Sequence, residues 1–253
     1  MTVETVFVAG GSRGVGRACC LEFAGQGANV AFIYHSNEQA AEETRAAIEA
    51  AGGKGLALRA DIRDRAQIDR AFAASLKAFG PLDTFVHTAG SLVKWVPVRD
   101  HDPDDWVDFI ATDLCGAFHT IQSAVRQMRQ AGKGGAVLAI SSIAAQMCQP
   151  KNSQGAAAKA GLEALIRVLA KEEGRHGIRA NAVSIGLTDT DMTADARAAW
   201  GDEAIARIIK GFPIQRIGQP EEIARVVRFL CGPDGAYITG KVLQVDGGQF
   251  IAG

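Results

Sequence analysis

An apolar run, Thr5–Ala9, passes directly into Ala9-Gly10-Gly11-Ser12-Arg13-Gly14-Val15-Gly16, and this glycine-rich turn constrains the chain more than any other stretch. Glycine supplies backbone conformations closed to other residues. It also leaves bare backbone at the start of the next helix, where free N–H groups and the helix dipole attract an anion. Strand, glycine turn and helix in that order open a βαβ unit of the kind that seats a dinucleotide pyrophosphate. The alternative is a merely tight strand-to-helix connection, and the placement of the glycines favours the nucleotide.

The rest of the chain repeats the theme. Short apolar or β-branched runs at Asn29–Tyr34, Gly55–Ala60, Leu82–His87, Ala136–Ser141, Arg179–Ser184 and Val242–Val245 alternate with longer helical patterns. Such alternation predicts an α/β fold: a Rossmann-type doubly wound sheet of about seven parallel strands with helices on both faces. With 253 residues and no Pro/Gly-rich linker or internal repeat, one domain is expected. Ile68, Phe72, Leu76 and Phe79 recur at helical spacing and predict one buried stripe. Ser36 reads as the N-cap of the second helix. Residues 187–213 contain no strand pattern, and because they follow a strand end they are expected to form a helical lid over a site, a plain surface insertion being the alternative.

Charge and cysteine content narrow the class of partner. The 27 basic and 28 acidic residues leave a formal net charge of -1 spread along the chain, which offers nothing to nucleic acid or an anionic membrane and points to a small-molecule substrate. Five cysteines without metal-ligand spacing suit free thiols in a reducing compartment, and no metal site is expected. The opening residues show no basic leader and no apolar span, so a cytoplasmic location is expected.

Several motifs together carry a family resemblance. Gly10, Gly14 and Gly16 follow the spacing T-G-x-x-x-G-x-G with Ala9 for threonine, and His87-Thr88-Ala89-Gly90 stands where Asn-Asn-Ala-Gly is usual. Thr112 to Phe118 follows x-Asn-x-x-Gly-x-Phe with Asp113 for asparagine, and Asn181 to Thr190 follows N-A-V-x-P-G-x-x-x-T with Ile185 for proline. Ser142 is followed thirteen residues later by Gly155-Ala156-Ala157-Ala158-Lys159. From end to end the chain resembles the short-chain dehydrogenase/reductase family, and within it the 3-oxoacyl-acyl-carrier-protein reductases.

The resemblance implies a cofactor site made by Gly10, Ser12, Arg13, Gly14, Val15 and Gly16, with Asp61 at the adenine, Ala89 and Gly90 passing close to the cofactor, Gly186, Thr188 and Thr190 near the carboxamide, and Lys159 on the ribose. The end of the second strand reads Tyr34-His35-Ser36-Asn37 and contains no carboxylate to bind an unphosphorylated ribose, while Arg13 and His35 are donors for a 2′-phosphate. NADP(H) is therefore expected in preference to NAD(H). A homotetramer or homodimer is also implied, through the last strand and the small residues of Ala156-Ala157-Ala158-Lys159-Ala160-Gly161.

Catalysis is where the pattern breaks. The family's general acid is a tyrosine at the position of Gly155; Ser142 and Lys159 keep their places and Asp113 adds a carboxylate. The only tyrosines, Tyr34 and Tyr237, fall in other segments. Removing a positioned general acid costs about 10²–10⁴-fold in rate. Ser142, Asp113 through water, Lys159, Gln154 and Lys151 are candidate substitutes, and loss of the ring is expected to open space there. His87 reads as a structural group rather than a catalyst, and Met147 and Cys148 as packing. Three functions follow: an NADP(H)-dependent carbonyl reductase; an enoyl- or dienoyl-thioester C=C reductase using Asp113 and Lys159, as in the peroxisomal 2,4-dienoyl-CoA reductase pattern; and a silent nucleotide-binding homologue.

Overall fold

Every predicted strand forms. In the computed structural model, which describes residues 4–194 and 201–251, these are β1 (Thr5–Ala9), β2 (Asn29–Tyr34), β3 (Gly55–Arg59), β4 (Thr84–His87), β5 (Gly135–Ser142), β6 (Ile178–Ile185) and β7 (Val242–Val245). All pairings are parallel, in the order β3-β2-β1-β4-β5-β6-β7. The order reverses between β1 and β4, so a crevice opens beyond the carboxyl ends of those two strands. His87 pairs with Ala139, and Ile140, Ser141 and Ser142 therefore run on past the end of β4. That overhang carries Ser142 to the rim of the crevice.

Helices cover both faces because successive strand side chains point to opposite sides. On one face Phe7 and Ala9 of β1 meet α3 (Arg65–Phe79), α5 (Ala117–Ala131) and α7 (Ser153–Glu173), with Phe7 stacked on Phe72 at 4.1 Å between ring centres. On the other, Val6 and Val8 meet α1 (Gly14–Ala24), α2 (Glu38–Ala50) and α9 (Pro220–Cys231) through Phe23, Ile48, Val227 and Leu230. Each such side chain contributes about 1.5–3 kcal/mol by leaving water.

Four local readings change. The α3 stripe is Ile68, Ala71, Phe72 and Ser75; Leu76 lies on the outer side, because the helix turns its face by one position toward the sheet. Asn37, one residue after Ser36, caps α2 by accepting from the Ala40 N–H at 2.9 Å. The helix carrying Asp113 is not uniform: α4 (Pro103–Ile110) passes through a π-helical turn, Ala111–Gly116, before α5 begins. Met147 and Cys148, expected to pack, are exposed after the short α6 (Ala144–Met147), and Cys148 has a left-handed backbone.

Of the segment 187–213, residues 195–200 lie outside the described residues. What is described contains a bridge from Thr188 to Gly218 and the amphipathic α8 (Asp202–Lys210), which buries Ile205. Among the described residues no helix is long and apolar enough to cross a membrane. At the far edge, Arg179 of β6 donates to the carbonyls of Leu230, Cys231, Gly232, Gly235 and Ile238, gathering the end of α9 and the turn after it around one guanidinium.

Candidate active site

The glycine turn fits its predicted use. Gly10 takes φ +90° and Gly14 φ +50°, the left-handed region that favours glycine. The N–H groups of Gly10 and Gly11 both donate to the Ile33 carbonyl, at 3.0 and 3.1 Å. A Cβ on Gly16 would collide with the Gly10 carbonyl oxygen, and one on Gly10 would lie 2.8 Å from the Ala89 backbone. Thr88 locks this crossing by donating to the Ala9 and Gly10 carbonyls. The Ser12 carbonyl accepts from Thr44, and Val15 is buried.

Three of the helix starts nearby are closed by side chains: Asn37 caps α2, Asp64 caps α3 and Asp102 caps α4. No side chain caps α1, and its first turn contains no acid. Its N–H groups and positive dipole end are left to an external anion, as a pyrophosphate requires.

The ribose end differs from expectation in its pairings. Arg13 is ion-paired with Asp191 at 3.1 Å, a partner 178 residues away in the chain. Asp61 accepts from Arg63 at 2.7 Å and lies 3.7 Å from His35 Nε2, so a carboxylate is close to the end of β2 although it belongs to the segment after β3. Arg63 holds the Asp61 carboxyl below its ordinary range, chiefly by hydrogen bonding, and the His35 imidazole is a smaller contributor. A cation the sequence did not suggest, Arg59, donates to the His35 carbonyl at 3.3 Å. Its register partner is Tyr34, and that pairing was the available signal. Ser36 is exposed beside them.

Across the crevice, Gly90 makes room for a buried ion pair. A Cβ there would lie 2.7 Å from Asp113 Oδ1 and 3.6 Å from Lys159 Nζ. The Asp113 carboxylate sits 3.5 Å from the Lys159 ammonium and accepts from the Ser91 N–H at 2.8 Å. Asp113 belongs to the π-helical turn, an irregularity often found where a side chain must be re-aimed at a site.

His87 lies beneath this pair. Thr120 donates to the Ala117 carbonyl and so accepts from His87 Nδ1–H, at 3.1 Å. Burial, with the Lys159 ammonium as a second cause, pushes the imidazole down to about 3. The ring is neutral in the folded protein, in keeping with a structural group.

Ser142 Oγ accepts from the Ala144 N–H at 3.2 Å, which leaves its own proton for a further partner. Behind it a buried carboxylate, Glu163, accepts from Ser141 at 2.8 Å and from Gln146 at 2.9 and 3.0 Å, and pairs with Arg167 at 3.3 Å. Glu163 stands one turn beyond Lys159 on α7, and the sequence reading passed over it. An acid four residues after the lysine on an otherwise apolar helix face was the signal.

Gly155 is one turn before Lys159 and therefore on the same face of α7. The space expected there is filled: a Cβ on Gly155 would collide with Asn152 Oδ1. Of the proposed substitutes for the acid, Gln154 is engaged elsewhere by its side chain, whereas Lys151 is held by its backbone alone. Gln154 Nε2 donates to the Lys94 carbonyl at 2.6 Å, and the backbone of Lys151, left-handed at φ +67°, accepts from the Val96 N–H. At Gly161, expected at a subunit contact, an added Cβ would lie 3.0 Å from Leu114 of its own chain.

The wall opposite is the loop after β6. Gly186 donates to the Val245 carbonyl at 3.3 Å, and the buried Thr188 donates back to the Gly186 carbonyl. The Thr190 methyl would lie 3.3 Å from a Cβ on Gly14, which brings this loop against the glycine turn. Glycine turn, ion pair, Ser142 and the 186–190 loop thus surround one crevice.

Comparison with known proteins agrees with this architecture. Residues 9–249 match the family model described as enoyl-(acyl carrier protein) reductase. The chain is 35% identical to L-rhamnose 1-dehydrogenase (NAD(P)(+)) of Azotobacter vinelandii, covering 98% of this chain and 97% of that one. It is also 35% identical to a 3-oxoacyl-[acyl-carrier-protein] reductase of Synechocystis, over 99% and 98% of the two chains. Levodione reductase superposes with a TM-score of 0.93 at 31% identity, and a Serratia marcescens short-chain dehydrogenase/reductase with 0.89 at 34%, each covering 97% of both chains. The fold and crevice define a doubly wound, dinucleotide-binding class of oxidoreductase. Within it, the chain belongs to the short-chain dehydrogenase/reductase family.

Proposed function

We propose that the protein is an NADP(H)-dependent reductase of a small-molecule carbonyl, either a 3-oxoacyl group or another ketone. The observation that carries this reading is the buried Lys159–Asp113 pair at 3.5 Å, set across one crevice from the uncapped start of α1. The reduced dinucleotide, when bound, supplies the hydride. Gly10 to Gly16 hold its pyrophosphate against the helix start, and Gly90 gives it close approach beside Lys159. Ser142 donates its free proton as a hydrogen bond to the substrate oxygen, and Lys159 places positive charge where negative charge develops on that oxygen. Asp113 fixes the ammonium in position. Gly155 stands where the family's tyrosine acid is expected, so the proton comes from the Lys159 ammonium or from water, and turnover is correspondingly slow.

His35 and Arg59 support the preference for NADP(H), with Asp61 engaged by Arg63. Equal dissociation constants for NADPH and NADH would refute it. Exposed Val107, Phe118 and Val168 on α4, α5 and α7 favour assembly into a homodimer or homotetramer, and the stretch 187–213 is suited to act as a lid. NADPH oxidation against 3-oxoacyl, enoyl and dienoyl thioesters, free ketones and quinones tests the reaction. Turnover confined to the unsaturated thioesters would favour the C=C reductase, which the carboxylate of Asp113 also suits. Silence throughout, with NADPH still bound, would favour a nucleotide-binding protein without catalysis.

A further inference from the structure

We propose that Asn152 provides the hydrogen bond to the substrate oxygen that a glycine at position 155 cannot make. The inference rests on the carbonyl-reductase reading and adds to it a substrate-contacting residue. Its carboxamide lies where a side chain at 155 would leave the helix: a Cβ built on Gly155 would collide with Oδ1 and lie 3.1 Å from Cγ and 3.3 Å from Nδ2. Because residue 155 is one turn before Lys159, the amide occupies the strip of α7 that leads to the ammonium.

Two further observations set Asn152 apart from a structural cap. It is the residue immediately before α7, a position where asparagine ordinarily accepts from an N–H of the first turn, yet it makes no capping bond. Its Oδ1 is buried without any hydrogen-bond partner, and the whole residue is only 5% exposed. A buried amide oxygen without a partner is uncommon in native proteins and calls for a bound group to complete it. The neighbouring backbone holds the amide in place, since the left-handed Lys151 is tied to Val96 and Gln154 is tied to Lys94.

An amide neither gives nor takes a proton near neutral pH, so Asn152 holds the oxygen and does not protonate it. Turned one way the carboxamide offers N–H to a ketone oxygen; turned the other it accepts from the product hydroxyl. Ser142 is the second donor to the same oxygen, and the pair acts as a two-point clamp next to Lys159.

The test uses the full chain and two measurements. The complex with NADP⁺, which cannot reduce a ketone, is titrated calorimetrically with acetoacetyl-coenzyme A, and NADPH oxidation is followed with the same ketone. Asn152→Ala is expected to bind NADP⁺ within about twofold of wild type, to bind the ketone about tenfold more weakly, and to lose about 10²-fold in kcat/KM, the usual loss for one donor to a developing oxyanion. If Asn152→Ala does not fold, Asn152→Ser replaces it with the same expected losses, because the hydroxyl is too short to reach. Ketone affinity and kcat/KM both matching wild type would overturn the proposal while leaving the reductase reading intact. Failure of wild type itself to bind or reduce the ketone would overturn both, and that result is visible before any variant is made.

Discussion

The turn from β1 into α1 and the turn from β5 into α7 both lead into helices that no side chain caps and that have no acid in their first turn. They reach that state by different means. In the first, the left-handed positions are glycines, Gly10 and Gly14, and the turn leaves no buried side-chain polar atom without a partner. In the second the left-handed residues are Cys148 and Lys151, and Asn152 Oδ1, Ser153 Oγ and Gln154 Oε1 all lack partners. A left-handed non-glycine residue costs on the order of 1 kcal/mol, and an unsatisfied buried polar group about 1–3 kcal/mol. The first turn is therefore free of such strain, whereas the second carries both left-handed side-chain residues and buried polar atoms without partners. The same fold thus fixes a generic cofactor end and leaves the substrate end free to vary.

The sharpest way to break the comparison is Gly16→Ala. The added methyl meets the Gly10 carbonyl, which cannot move without disturbing Ala89. NADPH affinity is expected to fall about 100-fold, or roughly 2.7 kcal/mol, in a fluorescence titration; affinity within a few-fold of wild type would mean the turn does not seat the phosphates. In stability terms the largest effect lies on the other side. Lys159→Met strands the buried Asp113 carboxylate and is expected to cost about 3 kcal/mol in urea unfolding at pH 7, with most of it recovered by adding Asp113→Leu. No recovery in the double variant would show that the loss is one of packing.

Next in size is a pH effect from His87, whose folded value of about 3 is below its unfolded value of about 6.5. Between these limits the unfolded chain binds the extra proton, so the contribution is fully present above pH 6.5 and is lost as the pH falls toward 3. By pH 5 the loss is about 2 kcal/mol. His87→Asn is expected to flatten this part of the stability profile, and parallel profiles would show that the ring titrates normally. The smallest effect is Lys151→Gly, which removes a left-handed side chain and is expected to raise stability by about 0.5–1 kcal/mol. A lowered melting temperature would mean the lysine side chain holds the loop by contacts that outweigh the strain.

Much of this could be read before any coordinates. Parallel strands buried on both faces are apolar runs, so β1 and β2 were found at their true limits, as was the more exposed edge strand β7. The glycine turn was legible because each glycine answers a steric demand of its own. What escaped depends on pairs distant in sequence or on the absence of a side chain. Nothing near Arg13 announces Asp191, and nothing in β2 announces that Asp61 comes within 3.7 Å of His35. Ser36 and Asn37 are both good caps, and only backbone angles choose between them. Asn152 was illegible for a related reason: its position matters only because residue 155 has no Cβ, a fact about space rather than about pattern.

Arg179 has a reach beyond its own strand. By holding the carbonyls from Leu230 to Ile238 it clamps the end of α9 to β6, and β6 pairs with β7, whose Val245 carbonyl receives the Gly186 N–H at the crevice wall. These contacts predict that local opening at the far edge and loosening of the crevice wall occur together. Amides around Gly235 and Ile238 should exchange with solvent more slowly once the crevice is filled, so a remote corner of the molecule reports on occupancy that it never touches.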